Sequence, residues 1–479
     1  ALTDADFNVA IGYGSMSASV LGSKNVSVGA NTLGNMNPAT AVEMYNVAVG
    51  HNAGQVVTTG TKNTIIGGLA GDALTTGVQN VVVGYNALST EDAHSANVAI
   101  GTNALSTLNA GVDGYNTAVG HDAGNLMTTG IQNTLIGGLA GDALTDADFN
   151  VAIGKGALGA DTLGSRAVAI GTDSLAAQNF TTATDNYNVG IGFHAGNDIT
   201  TGVQNTFVGG LAGDAATTRD GNTAVGYASL TTDAKGTGSV AVGASALGTQ
   251  NYGTDTNAFN TGVGYFAGAA ITTGVQNTIL GAIAGDALTD ADNNTALGYV
   301  ALGQCVLGSS NTAVGSGSLF TCNPATAVSM YNTAVGADAG NAVTTGIQNT
   351  FVGGLAGDAT DDGANNVAMG YLALSANCGD ENTGIGVTAL QICTGSTNTA
   401  LGMAAGLGIT SGNNNLMLGH DAGASGSPGG AITTANHVVS IGDENIATAN
   451  IQVDWTVASD KRDKTDVTPM EMGLDFVNK

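Results

Sequence analysis

The sequence predicts an all-β fold, a parallel β-solenoid or β-roll of about 25 short coils with a short C-terminal helix, on three observations. First, the motif Asn-x-x-(Val/Ile/Leu/Met)-Gly recurs 22 times, and the closing glycines, from Gly12, Gly29 and Gly50 to Gly442, number 25 and mostly stand 17 residues apart. In the coils ending at Gly171, Gly243 and Gly442 the Asn position holds Ala167, Ser239 and Val438. Second, the coils ending at Gly50, Gly120, Gly192, Gly264 and Gly336 are lengthened to 19 or 21 residues, which sets a superrepeat of about 72 residues on the short one. Third, Val9 and Ile11 alternate with Asn8, Ala10 and Gly12, the period of a strand, and Asn116 to Gly120 and its copies repeat the alternation.

From these residues the coil can be built in order. The side bearing Val, Thr and Ile is expected to be the coil interior, and the Ala side to meet another backbone or a narrow interface. Stacked at about 4.8 Å, the coils make a rod of roughly 120 Å. The Asn column reads as a ladder of stacked amides that satisfy corner backbone groups and one another. After each Gly, segments such as Tyr85-Asn86-Ala87-Leu88 and His121-Asp122-Ala123-Gly124 read as a second inward strand or corner.

The four coils of a superrepeat differ. One ends in Thr-Thr-Gly, as at Thr59-Gly60 and Thr129-Gly130, and reads as a turn. The next carries Gly-Leu-Ala-Gly-Asp-Ala-Leu-Thr, as from Gly68 to Thr75; the third places Tyr85, Tyr227, Tyr299 or Tyr371 after its Gly. The fourth leads into an insertion (35–45, 177–187, 322–331). Recurring at one coil position, these insertions are expected to protrude along one edge and to be the place for any binding.

Composition narrows the function classes. With 75 Gly, 4 Pro and 5% aromatics the chain lacks the bulk for a large conventional core and the triplet of collagen, while its regular apolar alternation excludes a disordered Gly-rich polymer. A formal charge of −27 with ten Lys and Arg repels phosphate backbones, so nucleic acid is not an expected partner. No apolar stretch reaches 18 residues, so no helical membrane span is expected. Ala1 to Asp6 copies Ala143 to Asp148, which reads as a start inside the array and as part of a longer protein.

Catalytic and metal constellations are not apparent, and no cofactor is expected. His51, His121 and His420 share the position after the coil Gly and read as a surface stripe. Gly-Asp-Ala-Leu-Thr lacks the tandem Gly-Gly-x-Gly-x-Asp of calcium-binding nonapeptides, and Gly190-x-Gly192 lacks the βαβ context of a dinucleotide loop. Cys305 and Cys322 lie seven residues past consecutive coil glycines, and Cys378 and Cys393 eight and seven past theirs. Neighbours about 4.8 Å apart fall in disulfide range, whereas parallel side chains favour buried thiols, so spacing leaves both states open.

The repeat Asn-x-Val-Ala-Ile-Gly-x-x-(Ala/Ser), over roughly residues 8 to 442, resembles the head repeat of trimeric autotransporter adhesins, though with longer coils. That resemblance implies a homotrimer, with Ala10, Ala48, Ala99 and Ala118 against the threefold axis. From Asp443 the repeat stops, and Ala458-Ser459-Asp460-Lys461-Arg462-Asp463-Lys464-Thr465-Asp466-Val467 is similar to the junction that opens the endosialidase-type intramolecular chaperone of phage tail fibres and tailspikes. The resemblance implies a chaperone that trimerises the fibre and cuts itself off before Ser459, with Ser459 as nucleophile on the Ala458 carbonyl and Lys464 as its base. Only 21 residues run from Ser459 to Lys479, too few for a whole chaperone. A solvated charged linker is the plain alternative for this run. Thr468-Pro469-Met470-Glu471 forms a capping box, and Met470, Leu474 and Val477 share the face of the expected helix.

The chain thus divides into a repeat shaft (1–442), a transition (443–458) and a junction with helix (459–479). The leading reading is the structural shaft of a phage tail fibre on the virion exterior, trimeric with itself and facing a host receptor such as a glycan, with no turnover beyond self-cleavage. The alternative is a bacterial surface adhesin of trimeric autotransporter type. Polysaccharide depolymerase activity is disfavoured by the lack of clustered carboxylates or a cleft.

Overall fold

The computed structural model describes residues 5–427, 429–450 and 452, and among these there is no helix. Twenty-five three-residue strands, from Val9–Ile11 to Val439–Ile441, form a single 25-stranded parallel sheet. Each strand pairs in register with the equivalent residues one coil on, as in Val151↔Val168, Ala152↔Ala169 and Ile153↔Ile170. The β-solenoid expected from the repeat is therefore the fold. The expected C-terminal helix lies outside the described residues.

The facing of the strand is the reverse of the expectation. From Val26–Val28 onward the middle residue is buried and the flanking Val, Thr, Ile, Leu or Met point outward, as in Val151–Ile153, where Ala152 is buried and Val151 and Ile153 are partly exposed. Ala48, Ala99 and Ala118 are fully buried inside their own coil, so they cannot face a threefold axis. The reason is the Asn column. Asn at the first motif position and the middle residue lie on the same side of the strand, and the buried Asn amides draw the small residue inward with them.

Between the strand centre and the position four past the coil Gly, the interior that results holds about one large side chain per layer, while the position seven past the Gly often buries another, as at Leu74, Leu144 and Leu288. Where the strand centre is Ala, the residue four past the coil Gly is often a buried Leu, as in the pairs Ala169/Leu175, Ala224/Leu230 and Ala241/Leu247. Where the strand centre is large, as at Ile65, Leu135, Phe207, Ile279 and Phe351, that position is Gly71, Gly141, Gly213, Gly285 or Gly357. A Cβ on Gly213 would strike the Phe207 ring at 2.5 Å, and one on Gly357 the Phe351 ring at 2.6 Å. The coil before each large residue is also opened, since Gly196 and Gly340 face the same rings. Burying one such side chain stabilises the rod by about 1.5–3 kcal/mol.

The downstream segment is a corner of turns, not a second strand. Its buried Ala (Ala53, Ala70, Ala87) closes the layer, and left-handed residues such as Asn86 (φ 57) and Leu88 (φ 46) fold it back. The motif glycine is required twice over. Gly137 sits at φ 137, and a Cβ there would lie inside contact distance of the Gly154 carbonyl in the next coil.

The expected ladder is present. The Oδ1 of Asn46 accepts the backbone N–H of Asn63 at 3.0 Å and its Nδ2 at 3.3 Å, while Asn63 Nδ2 also donates to the Gly77 carbonyl at 2.8 Å. Asn116–Asn133 and Asn260–Asn277 repeat the pattern. Each such bond contributes about 1 kcal/mol net, and more is lost when a buried partner is orphaned.

Three outcomes are expected in guanidinium unfolding. Gly137→Ala destabilises by roughly 2–4 kcal/mol through strain and overpacking. Phe207→Ala costs about 3–5 kcal/mol by leaving a cavity. Adding Gly213→Leu to Phe207→Ala recreates the Ala/Leu pairing of neighbouring coils and recovers at least half the loss; additive or worsening effects would refute the one-large-residue rule.

Candidate functional sites

The insertions expected as loops do project. Residues 39–43, 181–183 and 325–329 are exposed, and each loop sits at the same point of its coil. Their ends return as two-residue strands on the preceding corner: Val42–Glu43 on Gly22–Ser23, Thr184–Asp185 on Gly164–Ser165, Thr256–Asn257 on Gly236–Thr237, and Val328–Ser329 on Gly308–Ser309. Scarce cations pin three of them. Lys24 meets Glu43 at 2.7 Å, Arg166 meets Asp185 at 3.0 Å and Arg219 meets Asp255 at 3.3 Å. These exposed pairs position the loops and add little stability.

Beside the main sheet runs a column formed by the residue after each coil Gly. Tyr85, Tyr227, Tyr299 and Tyr371 are exposed there, as are His51, His121 and His420, so the histidine stripe lies on the surface as expected. The Tyr85 ring lies beside Gly68 and the Tyr371 ring beside Gly354, each 3.6 Å from where a Cβ would be. Glycine in the preceding coil lets the ring lie along the rod.

Inside the rod a second feature went unread in the sequence. At the breaks in the Asn ladder, Asp161 and Asp233 are buried against Gln178 and Gln250 from the following coils. Asp161 accepts Gln178 Nε2 at 2.6 Å and the backbone N–H groups of Gly164 and Phe180 at 3.1 Å each. Asn188 lacks the amide acceptor that Ala167 cannot supply; its Nδ2 donates instead to Gln178 Oε1 at 2.9 Å, and its backbone N–H to Asn186 Oδ1 at 2.9 Å. Asn260 Nδ2 reaches Gln250 Oε1 at 2.9 Å in the same way, opposite Ser239. The signal was available: Asp and Gln seven past the coil Gly appear together with the loss of Asn. In the next superrepeats the same slots hold Cys305 with Cys322 and Cys378 with Cys393, all four free thiols.

Carboxyl chemistry is spread along the rod. Asp72, Asp142, Asp286 and Asp358 recur at one corner, and burial pushes their pKa values up; Asp122 adds to this at Asp142 and Asp338 at Asp358. Asp161 and Asp233 are shifted up by burial against the opposing pull of their glutamine and backbone donors. Glu91, Asp92 and His94, and His420, Asp421 and Asp443, bring their ligand atoms within 4.8 Å of one another. Glu91 there already accepts His94 Nδ1 at 2.7 Å and the His94 N–H at 3.1 Å.

A groove of about 250 Å³ is lined by Thr232, Ser245, Thr249, Phe266 and neighbours. That is below the ~300–1,000 Å³ of typical small-molecule sites. No helix among the described residues is long and apolar enough to cross a membrane. Ser459 and Lys464, assigned to self-cleavage, lie outside the described residues, as do Ala458 and Trp455. Comparison with protein-family models, curated proteins and solved structures gives no match.

The raised carboxyls set a pH dependence. Unfolded, they titrate near the ordinary value of 3.8; folded, they hold protons more tightly. Their stabilising effect is complete below that value and is lost as pH rises through the higher folded values. The melting temperature is therefore expected to be higher at pH 4 than at pH 7. Replacing Asp72, Asp142, Asp286 and Asp358 together by Asn should flatten the profile, as followed by circular dichroism.

Proposed function

We propose that this chain is the shaft of a homotrimeric fibre of the bacteriophage tail-fibre type, carried on the virion exterior and serving host attachment through its lateral loops. One observation carries the proposal. The outward positions of all 25 main-sheet strands hold only Val, Thr, Ile, Leu or Met, with no charge, on a chain of net charge −27. Ile66, Ile136, Leu280, Leu297, Met369 and Leu401 are exposed along this face. At about 4.8 Å per coil and roughly 10 Å across, the strip covers about 1,200 Å² per copy, against the ~800 Å² per partner of a specific interface. Sister copies in parallel register would cover it from end to end. The face against the threefold axis is then the Val/Ile face, not the Ala face first expected.

The resemblance of residues 458–467 to the chaperone junction supports the phage reading, with Ser459 and Lys464 as the self-cleaving pair and no other turnover. The coil motif by itself equally supports the alternative, an autotransporter-type adhesin at a bacterial cell surface. Partners in either case are the chain itself and a host receptor such as a glycan.

Light scattering on the purified chain is expected to give three times the chain mass. Ile153→Glu with Ile170→Glu should lower that mass, while Lys155→Glu, on the adjacent column, should not. A monomeric wild type would remove the basis of the proposal. In a fusion that places a foldable C-terminal domain after Lys479, Ser459→Ala is expected to abolish release of the C-terminal fragment; a membrane β-barrel on the same polypeptide would select the adhesin.

A further inference from the structure

We propose that Cys305 and Cys322 close into a disulfide that staples two consecutive coils when the rod folds in an oxidising medium. The two Sγ atoms lie 2.9 Å apart and both residues are fully buried. They occupy equivalent points of adjacent coils, 17 residues apart, in the slot that Asp161–Gln178 fills in an earlier superrepeat with a direct contact of 2.6 Å. The slot thus demands a pairwise contact across the coil boundary, and covalent closure is the contact that two thiols can make. Gly308 makes room for it: a Cβ there would collide with Met330 Sδ, Cys322 Sγ and Cys305 Sγ at 2.7–2.9 Å.

The sulfur cluster is too tight for a metal. Cys322 Sγ is 3.2 Å from Met330 Sδ and 2.9 Å from Cys305 Sγ. Metal–sulfur bonds of about 2.3 Å would hold the sulfurs roughly 3.8–4 Å apart. The second cysteine pair provides an internal contrast. Cys305 and Cys322 also touch the Gly308 carbonyl and Asn311 Nδ2, at 3.7 and 3.6 Å, but their sulfurs meet each other as well. Cys378 Sγ instead contacts Thr360 Oγ1 at 3.3 Å and Cys393 Sγ accepts Asn398 Nδ2 at 3.4 Å, so this pair is expected to stay as thiols.

Closure requires a thiol-directed oxidant, and glutathione disulfide serves. One cysteine thiolate attacks a glutathione sulfur, forming a mixed disulfide and expelling one glutathione thiolate. The other cysteine thiolate attacks the cysteine sulfur of that mixed disulfide and expels the second glutathione. The two protons lost by the cysteines end on the two glutathiones, and the two electrons released by the protein have reduced the oxidant. The hydrogen bond to Cys305, with burial, pushes the Cys322 thiol up, which disfavours the thiolate in the finished rod. Closure therefore belongs to folding, before the slot is sealed.

The test refolds the reduced full chain from guanidinium in mixed oxidised and reduced glutathione, with a parallel refolding in reduced glutathione alone. Thiols are then blocked with iodoacetamide under full denaturation and the peptides are mapped by mass spectrometry. In the oxidising sample a Cys305–Cys322 peptide pair two hydrogens lighter is expected, with Cys378 and Cys393 alkylated, and a melting temperature several degrees above that of the reduced sample. Cys322→Ser should leave Cys305 alkylated. Alkylation of both Cys305 and Cys322 in the folded oxidised fraction, or their linkage to Cys378 or Cys393, would overturn the proposal. The same map on chain secreted to a bacterial periplasm gives the answer without refolding.

Discussion

The width of the coil interior governs this molecule. A buried Asn column takes one side of the cavity, and the space between the strand centre and the facing corner admits about one large side chain per layer. From this follow the Ala at most strand centres, the Leu that folds in from the corner, and the glycines that withdraw when Ile65, Phe207 or Phe351 fills the layer from the strand instead. The outward turn of Val and Ile follows as well, because the inward side of a three-residue strand has one place to offer. A protein with few aromatics can be stable on these terms because each small layer is sealed by its neighbours, so burial grows with the number of coils and not with their girth.

Much of the fold was legible in the sequence. A fixed spacing of the motif glycines specified stacked coils, and the lengthened fourth coil located the loops. The Asn column announced its ladder because a polar residue recurring at one register position has the same residue above and below to bond. What the motif could not reveal was which side faced inward. Alternation distinguishes two faces but does not name them, and the ordinary assumption that Val and Ile are core fails where an amide ladder claims the interior. The corner glycines looked like turn residues, although Gly213 and Gly357 are also the absence of a Leu opposite a Phe. The buried Asp161–Gln178 and Asp233–Gln250 pairs were obscured because their members lie in different coils.

The surface divides by chemistry. One face is continuous, apolar and uncharged; the carboxylates are spread along the rod, and those of the loops, Glu43, Asp185 and Asp255, are met by scarce cations of the neighbouring corners; the tyrosine column lies between flat strand and corner. A long strip of Val, Thr and Ile without charge is costly to leave in water, and on a strongly acidic chain it is a surface on which identical copies can meet without repulsion. The assembly proposed for the fibre rests on that contrast, and the loops remain outside it.

The direction of the hydrogen bonds has a mechanical consequence. Strands run across the rod, so bonds such as Asn63 N–H to Asn46 Oδ1 and those of the sheet point along its axis. Pulling on the ends loads successive coil boundaries in series, and the boundaries open like a zipper instead of shearing together. A freed coil of 17 residues lengthens the tether by roughly 50 Å at about 3.4 Å per residue. The rod can therefore act as a fuse, and its first point of failure is set by the weakest single boundary. At Ala167 and Ser239, where the amide ladder lapses, the buried Asp–Gln clamps keep that point from falling in the middle of the shaft.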